Sequence, residues 1–400
     1  MVCAVPDLLA TARDLQDDIV RLRRNLHRHP EIGNDLPITR GLVLEALDGL
    51  PLELNLHETT SGIAAVLRGG RPGETVLLRG DMDALPMPED TKLDFASEHE
   101  GAMHACGHDL HTSMVVGAAR LLSEMKNDLA GNVVFMFQPG EEGYAGAKLM
   151  LQEGLLDSSG DRPTGAFAIH VSPWFASGTI NHKPGPAMAS ADEVLITVTG
   201  RGGHASTPFL SLDPIPIAAE IVLAVETAIT RRINVFDPGV ITFGSIRAGT
   251  TNNVIPEQAQ LSGTIRAFSE TTRNELHLIL ERVTTHVAAA HAAEATVDIK
   301  SGYPVSINDP EFAAFVTDVA VDLVGNDAVI PLPTPIMGAE DWSYVMSEVP
   351  GTMSFLGACL PELEPGESPG NHSNRVVFHE DAMTVGVALH SAVAIGHLGR

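Results

Sequence analysis

Cysteine is scarce in this chain. Cys3, Cys106 and Cys359 form an odd set at wide spacing, which argues against a disulfide framework and for a reducing compartment, most simply the cytoplasm. Positive charge is scarce too: 25 Lys and Arg face 51 Asp and Glu, for a formal net charge of −26. Such a chain repels nucleic acid and anionic membrane surfaces, and no basic cluster reverses this locally. The most basic stretch, RLRRNLHR at 21–28, alternates with apolar residues and predicts one face of a helix. No run approaches the roughly 20 apolar residues that span a bilayer. The opening MVCAVPDLLATARDLQDD has neither the basic nor the apolar region of a signal peptide. Aromatics make up only 4% of the chain, so its cores must rely on Ala, Val, Leu and Ile.

What is present is the composition of a folded protein, 44% apolar and 19% charged. Its 400 residues are too many for one ordinary domain and suit two. Residues 75–79 (TVLLR), 132–137 (NVVFMF), 166–169 (AFAI) and 352–356 (TMSFL) read as short buried strands, with helical candidates at 110–122 and 147–151. That alternation predicts an α/β domain whose mostly parallel sheet is sandwiched by helices. Residues 193–300 differ. EVLITVTGRGG and QAQLSGTIRAF alternate polar with apolar, and helical segments at 214–231 and 270–293 accompany them. These predict a smaller α+β unit inserted into the larger domain, with KPGP at 183–186 as a hinge.

Polar, metal-capable residues follow the predicted strands. Asp81 and Asp83 come after the first, Glu141 and Glu142 after the second, His170 after the third, and Asn371-His372 after the fourth and its loop. In an open α/β sheet, ligands bind outside the carboxyl ends of the strands, so these residues converge by topology. The densest cluster is His104-Ala-Cys106-Gly-His108-Asp109-Leu-His111. Cys106 is either a small buried hydrophobe or a thiolate ligand, and imidazole suits the same metals. Gly107 lets the backbone bend so that Cys106 and His108 address one ion. His104 and His111 read as histidines on a helix surface or behind the ligands. Glu141-Glu142 is open between two roles. The pair is either a charge pair favoured by a helix N-terminus or a base beside its metal ligand.

The chain resembles the M20 metallopeptidase family in its amidohydrolase branch, which includes aminoacylases, hippurate hydrolases and auxin-conjugate hydrolases. The motifs carrying the resemblance are RRNLHRHPEIG (23–33), LLRGDMDALPMPE (77–89), MHACGHDLHT (103–112), FQPGEEGYAGAK (137–148), GRGGHASTP (200–208), NNVIPE (252–257), LSGTIR (261–266), GAEDWSY (338–344) and NHS (371–373). It implies a catalytic domain from 1–190 and 305–400, and a lid at 191–304 that forms the subunit contact of a homodimer or homotetramer. It implies metal ligation by Cys106, His108, Glu142, His170 and His372, with Glu141 as acid and base. Asp81 and Asp83 stand where other branches carry a metal-binding histidine, and here they are expected to support the ligands from behind. The implied cofactor is Zn²⁺, as one ion or two, with Mn²⁺ or Co²⁺ as alternatives. After PEIG the chain has Asn34-Asp35-Leu36-Pro37 where relatives usually carry a Glu pair, which leaves the role of the first motif open.

On the lid the resemblance points to His204, Asn253 and Arg266. A histidine donor can stabilise an oxyanion, an asparagine offers both a donor and an acceptor, and an arginine can pair with a substrate carboxylate. The implied reaction is hydrolysis of N-acyl-L-amino acids to a carboxylic acid and a free amino acid. A dipeptidase or aminopeptidase of the same family and a non-catalytic binder of small molecules are the alternatives. The excess of Arg over Lys adds a likeness to N-acyl-glutamine aminoacylases, making N-acyl-L-glutamine one candidate.

Overall fold

A computed structural model describes residues 7–400, so Cys3 lies outside the described residues. The chain divides into two compact units. The first contains the described residues up to Gly185, with Ile307–Thr334 and Asp341–Arg400; the second contains Pro186–Ser306 and Pro335–Glu340. The last of these segments was expected in the catalytic domain. It joins the second unit because the amide of Ala189 donates to the carbonyls of Ile336 and Gly338, at 3.1 and 2.9 Å.

The first unit is built on an eight-stranded sheet. Its strands are β1 (Leu52–Leu56), β2 (Ile63–Arg68), β3 (Arg71–Asp81), β4 (Ala130–Gln138), β5 (Gly165–Ser172) and β6 (Ile180–His182), then Val329–Pro331 and Gly351–Gly357. Four central neighbours, β4, β3, β5 and Gly351–Gly357, run parallel. Their central stretches are largely apolar because both faces are covered: in β4 every residue after Ala130 is buried. Val133, Phe135 and Phe137 join one core with residues of the helices His108–Glu124 and Ala382–Leu398. Those two helices lie very close together. A Cβ on Gly386 would sit 2.0 Å from the Met114 sulfur, so a larger residue there would have to displace the Met114 side chain.

The second unit is a four-stranded antiparallel sheet, ordered Gly239–Ala248, Gln258–Ala267, Asp192–Thr199, Glu294–Ser301. Along Asp192–Thr199 burial alternates, with Val194, Ile196 and Val198 facing a core that includes Ile217, Ile221, Leu276 and Leu280 of two helices. Those helices are Pro214–Arg232, capped by Asp213, and Glu270–Ala290, capped by Ser269. The second was expected to reach 293. It stops at Ala290, beyond which Ala292 adopts φ 57° and the Ala293 amide turns back to the Ala288 carbonyl. Among the described residues no helix is long and apolar enough to cross a membrane.

Candidate metal centre

The parallel strands of the first unit end together. β3 finishes at Asp81, β4 at Gln138 and β5 at Ser172, with His170 inside β5. The loop before the helix His108–Glu124 brings in Cys106. Gly107 makes its bend at φ 91°, and a side chain there would meet Val171 at 2.4 Å. His372 arrives on the loop after Gly351–Gly357, itself at φ 67°, with its amide on the Ala105 carbonyl at 2.9 Å. The neighbouring Asn371 amide donates to the carbonyls of Cys106 and Val171, at 3.0 and 3.2 Å. This asparagine ties together three segments that carry site residues.

All five expected ligands meet here. Cys106, His108 and His170 have ligand atoms within 4.8 Å of one another, and so do Cys106, Glu142 and His372. Cys106 Sγ lies 3.4 Å from His170 Nε2, and His372 Nε2 lies 3.2 Å from Glu142 Oε1. Two of the expected ligand imidazoles use Nδ1 on backbone: His108 on the Asp83 carbonyl and His170 on the Val171 carbonyl, both at 2.8 Å. That fixes the tautomers and leaves both Nε2 atoms facing inward, as metal-binding imidazoles require. The fit to a cation rests on two atoms. His108 Nε2 is buried with no hydrogen-bond partner and stands 3.9 Å from Glu142 Oε1, which pairs with the half-exposed His372 ring at 3.2 Å. A buried ring nitrogen left without a partner, aimed with a carboxylate oxygen at one point beside a thiol, is costly unless something charged sits between them. The donor set of soft sulfur, imidazole and carboxylate suits Zn²⁺.

The electrostatics agree with that use. Burial, and then the Glu142 carboxylate, raise the Cys106 thiol. Hydrogen bonds to Cys106 and Glu142 raise His372 to about 10. Burial, and then His111, hold His170 well below its usual range. The protons on Cys106 and His372 are the ones that a divalent ion displaces on binding.

Glu141 is buried beside this cluster, its Oε2 4.0 Å from His108 Nε2. Asp83 holds the glutamate pair from behind. One of its oxygens accepts the Glu141 amide at 2.9 Å and the other the Glu142 amide at 3.0 Å. Asp81, expected to support the ligands from behind, has an oxygen 3.5 Å from His108 Nε2 and forms a further group with His108 and His111 whose ligand atoms lie within 4.8 Å of one another. Although burial opposes it, the Arg79 guanidinium 2.7 Å away, followed by His108 and His111, keeps Asp81 far below the usual carboxylate range.

Several supporting residues have no local signal in the sequence. His111, expected on a helix surface or behind the ligands, is buried. Its Nδ1 bonds Asp81 at 2.6 Å and its Nε2 accepts the Val171 amide at 2.8 Å. His104 is buried as well, with neither ring nitrogen hydrogen-bonded, and burial pushes it down to about 3. Gln138 bridges Arg79 and Asp341, which in turn accepts the Ala147 amide. The basic stretch 21–28 forms the end of the helix Gln16–Arg28. Arg23 and His27 do not lie on a solvated face, however. Both are buried against Asp109, each at 2.8 Å, and so fix the first turn of the helix that begins at His108.

In the second unit, His204 and Asn253 come together. Val254 pairs with His204 in a two-stranded ribbon, and the Ala205 amide bonds the Asn253 carbonyl at 3.1 Å. Both side chains are exposed. Arg266 is not with them. It lies half-buried near the far end of the strand Gln258–Ala267, its guanidinium on Thr264 and on the Ile265 carbonyl.

The model of peptidase family M20/M25/M40 matches residues 77–395. Thermostable carboxypeptidase 1 of Saccharolobus solfataricus is 35% identical over 395 residues, 98% of each chain. N-acetyl-L-cysteine deacetylase of Bacillus subtilis is 34% identical over 345 residues, covering 86% of this chain and 81% of that one. The crystal structure of the Bacillus subtilis YXEP protein, a dinuclear metal-binding peptidase of the M20 family, superimposes with a TM-score of 0.82 at 30% identity, covering 96% of this chain and 98% of that one. An α/β catalytic scaffold with polar residues gathered at its strand ends is therefore that of a hydrolase acting on amide bonds. The chain belongs to the M20 peptidase family and is an amidohydrolase.

Proposed function

We propose that the protein hydrolyses N-acyl-L-amino acids, releasing a carboxylic acid and a free amino acid, at a centre of two Zn²⁺ ions. The ligands in this reading are Cys106, His108, Glu142, His170 and His372. The observation that carries it is the buried, unpartnered His108 Nε2 facing the Glu142 carboxylate beside the Cys106 thiol. A divalent ion bound there supplies a Lewis acid that polarises the scissile carbonyl and makes water acidic near pH 7.

The protein's own groups do the rest. Glu141 takes the proton from the attacking water and returns it to the leaving nitrogen, so one carboxylate serves as base and then acid. Asp83 keeps that carboxylate aimed through two amide bonds. His204 donates to the developing oxyanion, Asn253 holds the amide, and Arg266 pairs with the substrate carboxylate. The deacetylase relative supports an N-acyl amino acid as substrate, and N-acyl-L-glutamine is one member of that class. The carboxypeptidase relative favours a second reading, release of a C-terminal amino acid from a peptide. The buried Glu141 beside a full ligand set speaks against a silent binding protein. Exposed Phe209, Leu223 and Phe236 on the second unit support pairing of two chains through it. Cys106 and Cys359 are both free, which fits the reducing cytoplasm.

Glu141→Gln preserves shape and removes the base. Metal content by elemental analysis should be unchanged, while release of free amino acid falls by about 10²-fold or more. Near-normal turnover in this variant would sink the mechanism.

A further inference from the structure

Trp174 is one of two tryptophans in the chain. The other, Trp342, is fully buried, whereas Trp174 is 55% exposed. It follows β5 directly, four positions after His170. The turn that carries it is well anchored: its amide donates to Ser172 Oγ at 3.3 Å, and the Phe175 carbonyl accepts the Cys359 amide at 3.1 Å. Phe175 turns inward, onto Phe355 at 6.5 Å between ring centroids, and Phe355 packs against His170 at 5.9 Å. Trp174 turns the other way. Its Nε1 donates to the Ser368 carbonyl at 3.1 Å, and its ring lies so close to Gly370 that a Cβ there would meet Cζ2 at 2.5 Å. Gly370 is two positions before His372. The indole is therefore locked on one side against the loop that delivers an expected metal ligand, with the rest of its surface left in water.

A large apolar ring held rigid and exposed against the loop that carries an expected metal ligand is a ready contact for an apolar ligand, because covering it removes apolar area from water at little entropic cost. Its chemistry selects which end of the substrate. Residues 171–178 and 366–374 contain no Lys or Arg, their one histidine, His372, is an expected metal ligand, and the flanking Arg375 is held by Asp90 at 3.2 Å, so a free carboxylate finds no unengaged cation there. We propose that Trp174 is the specificity platform for the acyl group, selecting long aliphatic or aromatic acyl chains. This rests on the amide-hydrolysis reading given above.

The test compares wild type, Trp174→Ala and Trp174→Phe on N-acetyl, N-hexanoyl, N-decanoyl and N-benzoyl derivatives of one amino acid. In Trp174→Ala the rise in KM should grow along the series, from about twofold for acetyl to tenfold or more for decanoyl and benzoyl. Metal content should be unchanged and kcat little altered, and Trp174→Phe should recover most of the selectivity. A uniform loss across the series accompanied by loss of metal would overturn the proposal, since the ring would then only prop the His372 loop. Flat KM values across the series would overturn it too. A second readout does not depend on turnover. Decanoate added to the metal-loaded protein should shift a tryptophan emission component that Trp174→Phe lacks, and no shift at all counts against the platform. A wild type that cleaves none of these amides would sink the functional reading alone.

Discussion

The two groups of candidate functional residues differ in how firmly the fold holds them. In the first unit, Cys106, His108, Glu142 and His170 are buried or nearly so, and backbone or carboxylate partners fix His108, His170 and the glutamate pair. In the second unit, His204 and Asn253 are exposed, and their side chains bond only to nearby loop residues, Ser206 and Thr251. The difference matches the tasks proposed for them. A metal centre must exist before substrate arrives, so its ligands are preorganised at a cost in buried charge. Groups that meet only the substrate can stay solvated until then. It follows that damage to the first group should change metal content along with turnover, and damage to the second should change turnover alone.

Cys106→Ser breaks the contrast most severely. Loss of the thiolate should lower bound metal, read by elemental analysis after gel filtration, and turnover should fall by roughly 10³-fold or more because a Lewis acid is worth several kcal/mol. Unchanged metal content would remove Cys106 from the ligand set. His204→Ala should lose about 10²-fold in kcat, the scale of one oxyanion donor, with metal content and melting temperature both unaltered. A fall in either of those would show that His204 is structural, and the contrast between the units would go with it. The smallest effect concerns a buried histidine outside both groups. His390 packs on Phe167 at 5.2 Å, with neither ring nitrogen hydrogen-bonded, and burial drives it down to about 3. The unfolded chain takes up that proton near pH 6.5 and the folded chain does not. Stability is therefore fully present above about pH 6.5 and is lost as pH falls towards 3. His390→Leu should flatten the fall of melting temperature between pH 7 and pH 5; an identical slope would mean that other groups set it.

The strands and the positions of their terminal acids and histidines could be read from the sequence, because parallel strands buried on both faces leave long apolar runs that end abruptly in polar residues. The ligand identities needed more, since a lone cysteine and a Glu-Glu pair each have an ordinary structural explanation, and the ordered family motifs chose between the two. The supporting residues could not be read. Asp109 finds His27 across 82 positions, Gln138 finds Asp341 across 203, and Arg79 finds Asp341 across 262. No local pattern announces such pairs. The basic stretch 21–28 shows the same limit: helical periodicity located the helix, but only tertiary packing turned Arg23 and His27 inward to neutralise Asp109.

The two amides that converge on Asp83 have a mechanical consequence. Glu141 and Glu142 hang from opposite oxygens of one rigid carboxylate, so any displacement of one backbone unit is transmitted to the other. In the proposed roles, the proton carrier then travels with the ligand. Ions of different radius could be accommodated by a shift of the whole yoke, with the separation between carrier and ion nearly constant. Tolerance of metal exchange and constancy of the proton path would then share a single cause.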